Sequence, residues 1–240
     1  MISLLFISLI FLAAGFIQGF SGFGSALFAI PLLTLFLDVK IAVPLCILNS
    51  ILITSYLSLE LKSNMEKKKI LPLFLGSLPG IYTGAIFLNH MESDILKLLL
   101  GLLIIIYAVY SLIFHPGPRK IHNIWAYFAG LCTGFIGSAF SAGGPPAIIY
   151  TSLTDWSKNQ IKATLTGFFL LASIVTAAVH TAKGLTNEIV IKYFLDSFFF
   201  VLVGVYAGAQ LYRRISRREY IKVILFTLIV LGAIMVISAL

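Results

Sequence analysis

Two short runs of glycine, serine and proline interrupt otherwise apolar sequence, and they offer the most chemistry in the chain. The first is Gly19-Phe20-Ser21-Gly22-Phe23-Gly24-Ser25. The second runs from Gly137-Ser138 to Ser141-Ala142-Gly143-Gly144-Pro145-Pro146. A helix broken inside a membrane leaves amide N–H groups unpaired at the start of its second piece, with a partial positive charge there. Glycine lets an anion come close to those amides. Pieces beginning near Ser25 and Pro146 would present such ends, and proline suits a first helical turn because its missing N–H has no partner there anyway. Ser21, Ser25, Ser138 and Ser141 add hydroxyl donors, and neither stretch holds a Lys or Arg. The expectation is an anion held by backbone amides and hydroxyls rather than by salt bridges. The substrate-binding residues on this reading are Gly19, Ser21, Gly22, Gly24, Ser25, Asn49, Gly137, Ser138, Ser141, Gly143, Gly144 and Pro145. The competing reading is that the glycines only let helices pack closely, and that Asn49 makes an interhelical hydrogen bond.

Other polar groups sit in apolar surroundings. Gln18, Thr54, Thr164, Thr166, Ser173 and Thr176 do so, as does His180. Asp196 is the one acidic residue well inside an apolar stretch, and intramembrane carboxylates carry a functional hypothesis by default. Asp196 and His180 would form a proton-linked pair; alternatively, Asp196 faces outside water near a helix end. Asp38 and Asp155 precede helical stretches and read as N-caps. His90, His115 and His122 lack the spacing of a metal site, so no metal is expected. No Walker A sequence is present, which argues against ATP-driven pumping. No catalytic residues and no cofactor are expected, because no acid–base or nucleophile–base pair recurs at catalytic spacing.

The elements that must position these residues are membrane helices. Sixty per cent of the 240 residues are hydrophobic and 11% are charged, against about a quarter charged in an ordinary soluble domain. A globule of this size needs a polar coat, and lipid removes that need. Ile41–Leu59, Leu98–Phe114, Ala163–Ala182 and Ser197–Tyr212 hold no charge, and such runs are near the length that crosses hydrocarbon. The net charge of +8 lies in the breaks between apolar runs, so it signals loops at a lipid surface rather than nucleic-acid binding. Cys46 and Cys132 lie inside apolar segments as small core residues. The first residues carry no Lys or Arg, so a retained membrane segment is expected there rather than a cleaved signal peptide.

The chain reads as duplicated. Ala14–Phe20 resembles Ala129–Phe135 at an offset of 115, with Gly22 meeting Gly137 and Pro31 meeting Pro146; Gly80–Gly84 resembles Gly204–Gly208 at an offset of 124. The halves are 1–117 and 118–240, joined at His115–Lys120. Each opens with a broken hairpin, Ile2–Leu37 and Ile124–Leu153, that returns to its starting side. Three helices follow each: about 41–61, 70–89 and 95–114, then about 159–182, 188–211 and 220–240. With returning hairpins, thirteen of the Lys and Arg residues share one face and four (Lys40, Lys97, Lys183, Lys192) the other. Single crossings would split them nine to eight, which sets no orientation, so the hairpins are preferred. The basic face, with Lys158, Lys162 and the Arg213, Arg214, Arg217, Arg218 anchor, is then cytoplasmic. Both termini lie outside, in the inner (plasma) membrane. A hairpin plus three crossings inverts the second half, the plan of secondary transporters with a midplane site.

With Gly15–Gly24, Gly134–Gly137, Gly143–Pro146 and the two Gly-x-x-x-Gly pairs in order, the sequence resembles the TauE/SafE family of membrane permeases, the sulfite exporter type. The resemblance runs from end to end. It implies an all-α polytopic membrane protein that carries sulfur-containing anions or other organic acids, with the bilayer and a small anion as its partners. The first half departs from the family pattern with Gly22-Phe23-Gly24 in place of a fuller glycine run. A channel-like facilitator for a small anion or neutral solute is the alternative.

Overall fold

The computed structural model describes residues 2–114, 122–212 and 217–239, with side chains masked at 2–3 and 217–224. Those residues form ten α-helices, one 3-10 turn (Lys62–Asn64) and no strand. The first half is α1 (Ile2–Ser21), α2 (Ser25–Leu33), α3 (Val39–Glu60), α4 (Lys67–His90) and α5 (Ser93–Ile113). The second is α6 (Ile124–Phe140), α7 (Gly144–Ser152), α8 (Lys158–Ala182), α9 (Glu188–Tyr212) and α10 (Arg217–Ser238). Six of them, α1, α3, α4, α5, α8 and α9, are long and apolar enough to cross a membrane. The linker His115–Lys120 and Arg213–Arg214 lie outside the described residues, as do the side chains of Arg217 and Arg218.

Local chemistry fixes the helix starts. Asp38 caps α3 by accepting from the Lys40 N–H at 2.7 Å, as expected. Asp155 does not cap α8. Ser157 does, because it forms a capping box with Gln160 that satisfies two amides reciprocally; Asp155 is left exposed two residues earlier.

Both opening hairpins return to the side they came from. The Gln160 side-chain amide donates to Glu66 at 2.7 Å, and Lys69 lies over the Trp156 ring. The α3–α4 and α7–α8 loops therefore share a face. The Lys69 hydrogen bond holds the Glu66 carboxyl below the usual carboxylate range. At the other end of α3, Lys40 donates to the Asn89 carbonyl at 3.0 Å and Ser93 to Asp38 at 2.7 Å. Lys40 and Lys158 are thus on opposite faces.

Glycine dictates which helices touch most closely. A Cβ on Gly15 or Gly19 of α1 would strike the carbonyls of Val201 and Val205 of α9, and one on Gly204 or Gly208 those of Leu12 and Phe16. In α4 and α6, Gly130 and Gly134 meet Leu73 and Ser77, while Gly76 and Gly80 meet Tyr127 and Leu131. Without side chains the backbones approach to van der Waals contact, the usual device where lipid removes the hydrophobic drive between helices, and the Ser8 hydroxyl of α1 also donates to the Asp196 carbonyl of α9 at 3.2 Å. The contacts advance together along both pairs, so α1 runs parallel to α9 and α6 parallel to α4. They also correspond position by position, shifted by 115 in the opening helices and by 128 in α4 and α9. The partner of Gly204 in this sense is Gly76, one helical turn before the Gly80 that sequence similarity selects. A five-residue motif repeated every turn aligns equally well one turn out, and only the contacts choose.

The remaining main contacts keep the correspondence. α3 packs on α8 and α9, α8 packs on α3 and α4, and α5 packs on α10. One difference is that α2 also touches α10.

Candidate functional site: a cavity between two broken helices

The two breaks meet at one cavity. Gly24 and Ser25 at the start of α2, and Gly143 and Gly144 at the start of α7, line the same space. Gln18, Thr133, Gly137 and Ser141 surround it from the opening helices, Ser50 from α3, and Phe169, Ser173 and Thr176 from α8. No charged side chain is among the described lining residues. The breaks are made by unusual backbone. Gly22 and Gly24 take positive φ (88° and 94°), which suits glycine. Ser141 takes φ 54° without being glycine, a costly conformation that concentrates at functional sites.

Hydrogen bonding divides the polar groups in two. The Ser25 hydroxyl donates to Gln18 Oε1 in a short bond that ties α2 back to α1. Ser50 and Ser173 meet across the cavity at 3.2 Å. The hydroxyls of Thr133 and Ser141, by contrast, are buried with no partner among the described residues. A buried hydroxyl left unpaired costs about 1–3 kcal/mol, so these two favour a guest that hydrogen-bonds to them. The two helix starts are unequal donors. α2 presents the N–H groups of Ser25, Ala26 and Leu27, whereas Pro145 and Pro146 remove two of the amides that α7 would otherwise offer.

Of the residues expected from the sequence, Gly24, Ser25, Gly137, Ser141, Gly143 and Gly144 line this cavity. Six do not. Gly19 is a packing glycine against Val205. Ser21 and Gly22 line a second cavity beside the first. Pro145 is buried in the first turn of α7. Ser138 turns to α8, where His180 Nε2 lies 3.0 Å from its carbonyl and 3.3 Å from its hydroxyl. Asn49, 1% exposed, bonds to the Leu45 carbonyl at 3.0 Å and to the Ser197 hydroxyl of α9 at 3.2 Å. That is the interhelical bond, and removing it has a modest expected cost. Asn49→Ala should lower stability by about 1 kcal/mol, read as a fall of a few degrees in melting temperature.

The structure does not bring Asp196 to His180. Asp196 is exposed on α9, which packs against α1 and α3, while His180 is fully buried between α8 and α6. Since a carbonyl only accepts, the His180 proton sits on Nε2, and Nδ1 is left buried without a partner among the described residues.

Sequence reasoning missed Ser50, Thr133, Phe23 and Lys162. Helical period held the signal for the first two: Ser50 is three positions from Ile47, and Thr133 four from Gly137, on cavity-facing stripes. Lys162 was expected in water on the basic face. It is instead 7% exposed, one turn inside α8, with its ammonium 3.0 Å from the Gly19 carbonyl and 3.7 Å from the centre of the Tyr212 ring. No cation lies within the broken stretches, but this one reaches the first of them.

These features define a class: an all-helical, multi-pass membrane protein with a cavity where two interrupted helices converge. The chain matches the family described as Sulfite exporter TauE/SafE over residues 7–236, and it belongs to that family. Comparison with curated proteins and with solved structures gives no match. The family is described as one of sulfite exporters, which points to membrane transport.

Proposed function

We propose that the protein is a secondary transporter of small anions, sulfur-containing oxyanions or related organic acids, working by alternating access between two inverted repeats, 1–117 and 118–240. The observation that carries this reading is the shared cavity: the N-terminal ends of α2 and α7 both reach it, together with the unpaired hydroxyls of Thr133 and Ser141. Helix starts and hydroxyls are donors, and a guest with several acceptor oxygens satisfies them. The repeat reading is supported by the contacts of α1 with α9 and of α6 with α4, which correspond residue by residue. The basic face lies in the cytoplasm of the inner (plasma) membrane on this reading, with both termini outside.

Flux in proteoliposomes tests it. Saturable uptake of sulfite, or of another oxyanion from a panel, that depends on a proton gradient indicates a carrier; linear, gradient-independent flux indicates a facilitator pore, and no flux rejects transport. For proton coupling, His180 is the group to follow, because its Nδ1 is buried and bare while Asp196 is exposed away from the cavity. Asp196→Asn should leave the pH dependence of flux unchanged and His180→Gln should flatten it. The opposite pattern would assign the proton to Asp196.

A further inference from the structure

Beside the central cavity lies a second one, lined by Ser21, Gly22 and Phe23 of the first break, by Thr151 of α7, and by Lys158 and Lys162 of α8. Phe23 lines both cavities. From these observations we infer that the second cavity is an anion-binding subsite outer to the central one, on the face where α8 begins (the cytoplasmic face on the reading above), and that the Phe23 ring is the gate between the two. This rests on the transport reading above and adds a route and two residues to it.

The charge comes first. A lysine held inside a membrane span is expensive and needs a purpose. The Lys162 stem runs directly along Gly22, where a Cβ would come within 3.0 Å of its Cγ. Its ammonium ends at the Gly19 carbonyl, beside the break. Lys158, one turn earlier, is exposed at the same mouth. Positive charge at the mouth of a cavity focuses the field and raises the local concentration of anions. The hydroxyls here differ from those of the central cavity. Ser21 donates to the Ile17 carbonyl at 2.7 Å and Thr151 to the Ala147 carbonyl at 2.9 Å. The outer subsite therefore captures by charge, while the central cavity selects by hydrogen bonding.

The gate follows from where Phe23 sits. It lies between two glycines of positive φ. Its backbone is held by the Ser21 hydroxyl, which accepts from its N–H at 3.3 Å and shares its one proton between the Phe23 and Ile17 carbonyls. The ring approaches Gly144, where an added Cβ would be 3.9 Å from Phe23 Cδ2. A fixed backbone with a half-buried ring between two cavities opens by side-chain rotation, and Gly144 leaves that ring its space. The second break carries Ser141-Ala142-Gly143 and no aromatic residue, so the gate belongs to one half only.

The test uses the whole protein in vesicles of determined orientation, with radiolabelled sulfite and a panel of other oxyanions as probes. Lys158→Glu is placed at an exposed helix start where a carboxylate is tolerated. It should raise the half-saturating concentration about tenfold from the Lys158 face, the lower end of what field focusing contributes, and weaken the salt dependence of uptake. Lys162→Met should do the same and Lys162→Arg should restore it, while anion-induced thermal stabilisation, to which the central cavity also contributes, is reduced but not abolished. Phe23→Ala should add a non-saturating leak, and Phe23→Leu a smaller one. Wild-type saturation, salt dependence and leak in Lys158→Glu and Phe23→Leu would overturn the inference and leave the transport reading intact. If wild-type protein moves none of the anions, both fall together.

Discussion

Valine in place of Gly144 is expected to abolish transport while the protein remains folded in the membrane. Gly144 opens α7 at the cavity wall, with ordinary φ and room for a Cβ, whose nearest neighbours would be Ile148 Cδ1 at 3.4 Å and Phe23 Cδ2 at 3.9 Å. The backbone therefore accepts the side chain. Two added methyl groups would then occupy the space next to the Gly143 and Gly144 amides and press on the Phe23 ring. An anion that needs close approach to those amides loses it. Flux should fall to the level of empty vesicles, with the melting temperature and extracted yield near wild type. Gly22→Val is a less clean version of the same experiment, because φ 88° and the Lys162 stem both oppose any side chain there.

The largest loss of stability is expected from Gly208→Val and Gly80→Val. A Cβ at either position falls far inside contact distance of a backbone carbonyl, that of Phe16 in one case and of Leu131 in the other. Backbone cannot step aside as a flexible side chain can. The helices must separate along their length, and the cost should exceed the about 1–3 kcal/mol usual for overpacking. Both variants should be lost from the membrane fraction or melt well below wild type, and to a similar extent, because the two contacts correspond. Gly137→Ala is the contrast: its nearest neighbour would be Gly143 Cα at 3.7 Å, so it should fold normally.

Much of this was legible in the sequence because hydropathy, charge and glycine each act locally. Apolar length set the spans, and the charge balance required returning hairpins; the pairing of Glu66 with Gln160 puts the loops after α3 and α7 on one face, and α1 runs parallel to α9. The start of α2 at Ser25 was visible because Gly22 and Gly24 can adopt what other residues avoid. Glycine's two uses were not separable in the same way. Gly19 and Gly24 look alike in sequence, yet one lies under Val205 and the other at the cavity, and only the neighbouring helix decides. Asn49 and Ser50 are a similar case, since a turn of about 100° per residue sends one to Ser197 and the other to Ser173. Lys162 was hidden for a different reason. A long stem lets a lysine four residues from a helix start either reach water or fold back, and the carbonyl and ring that receive it come from helices distant in sequence.

The central claim is that an anion sits in the cavity where α2 and α7 begin, held by amides and hydroxyls. Thermal melting of purified wild-type protein and of the Thr133→Ala/Ser141→Ala variant, which lacks the two unpaired cavity hydroxyls, each titrated with sulfite, sulfate, thiosulfate, sulfonates and carboxylates, tests it most directly. Binding to the native state raises the melting temperature by mass action. The prediction is a concentration-dependent rise for one class of these anions in the wild type, and its loss or a marked weakening in the double variant. An equal rise in both proteins, or none in the wild type with any anion, would contradict the site.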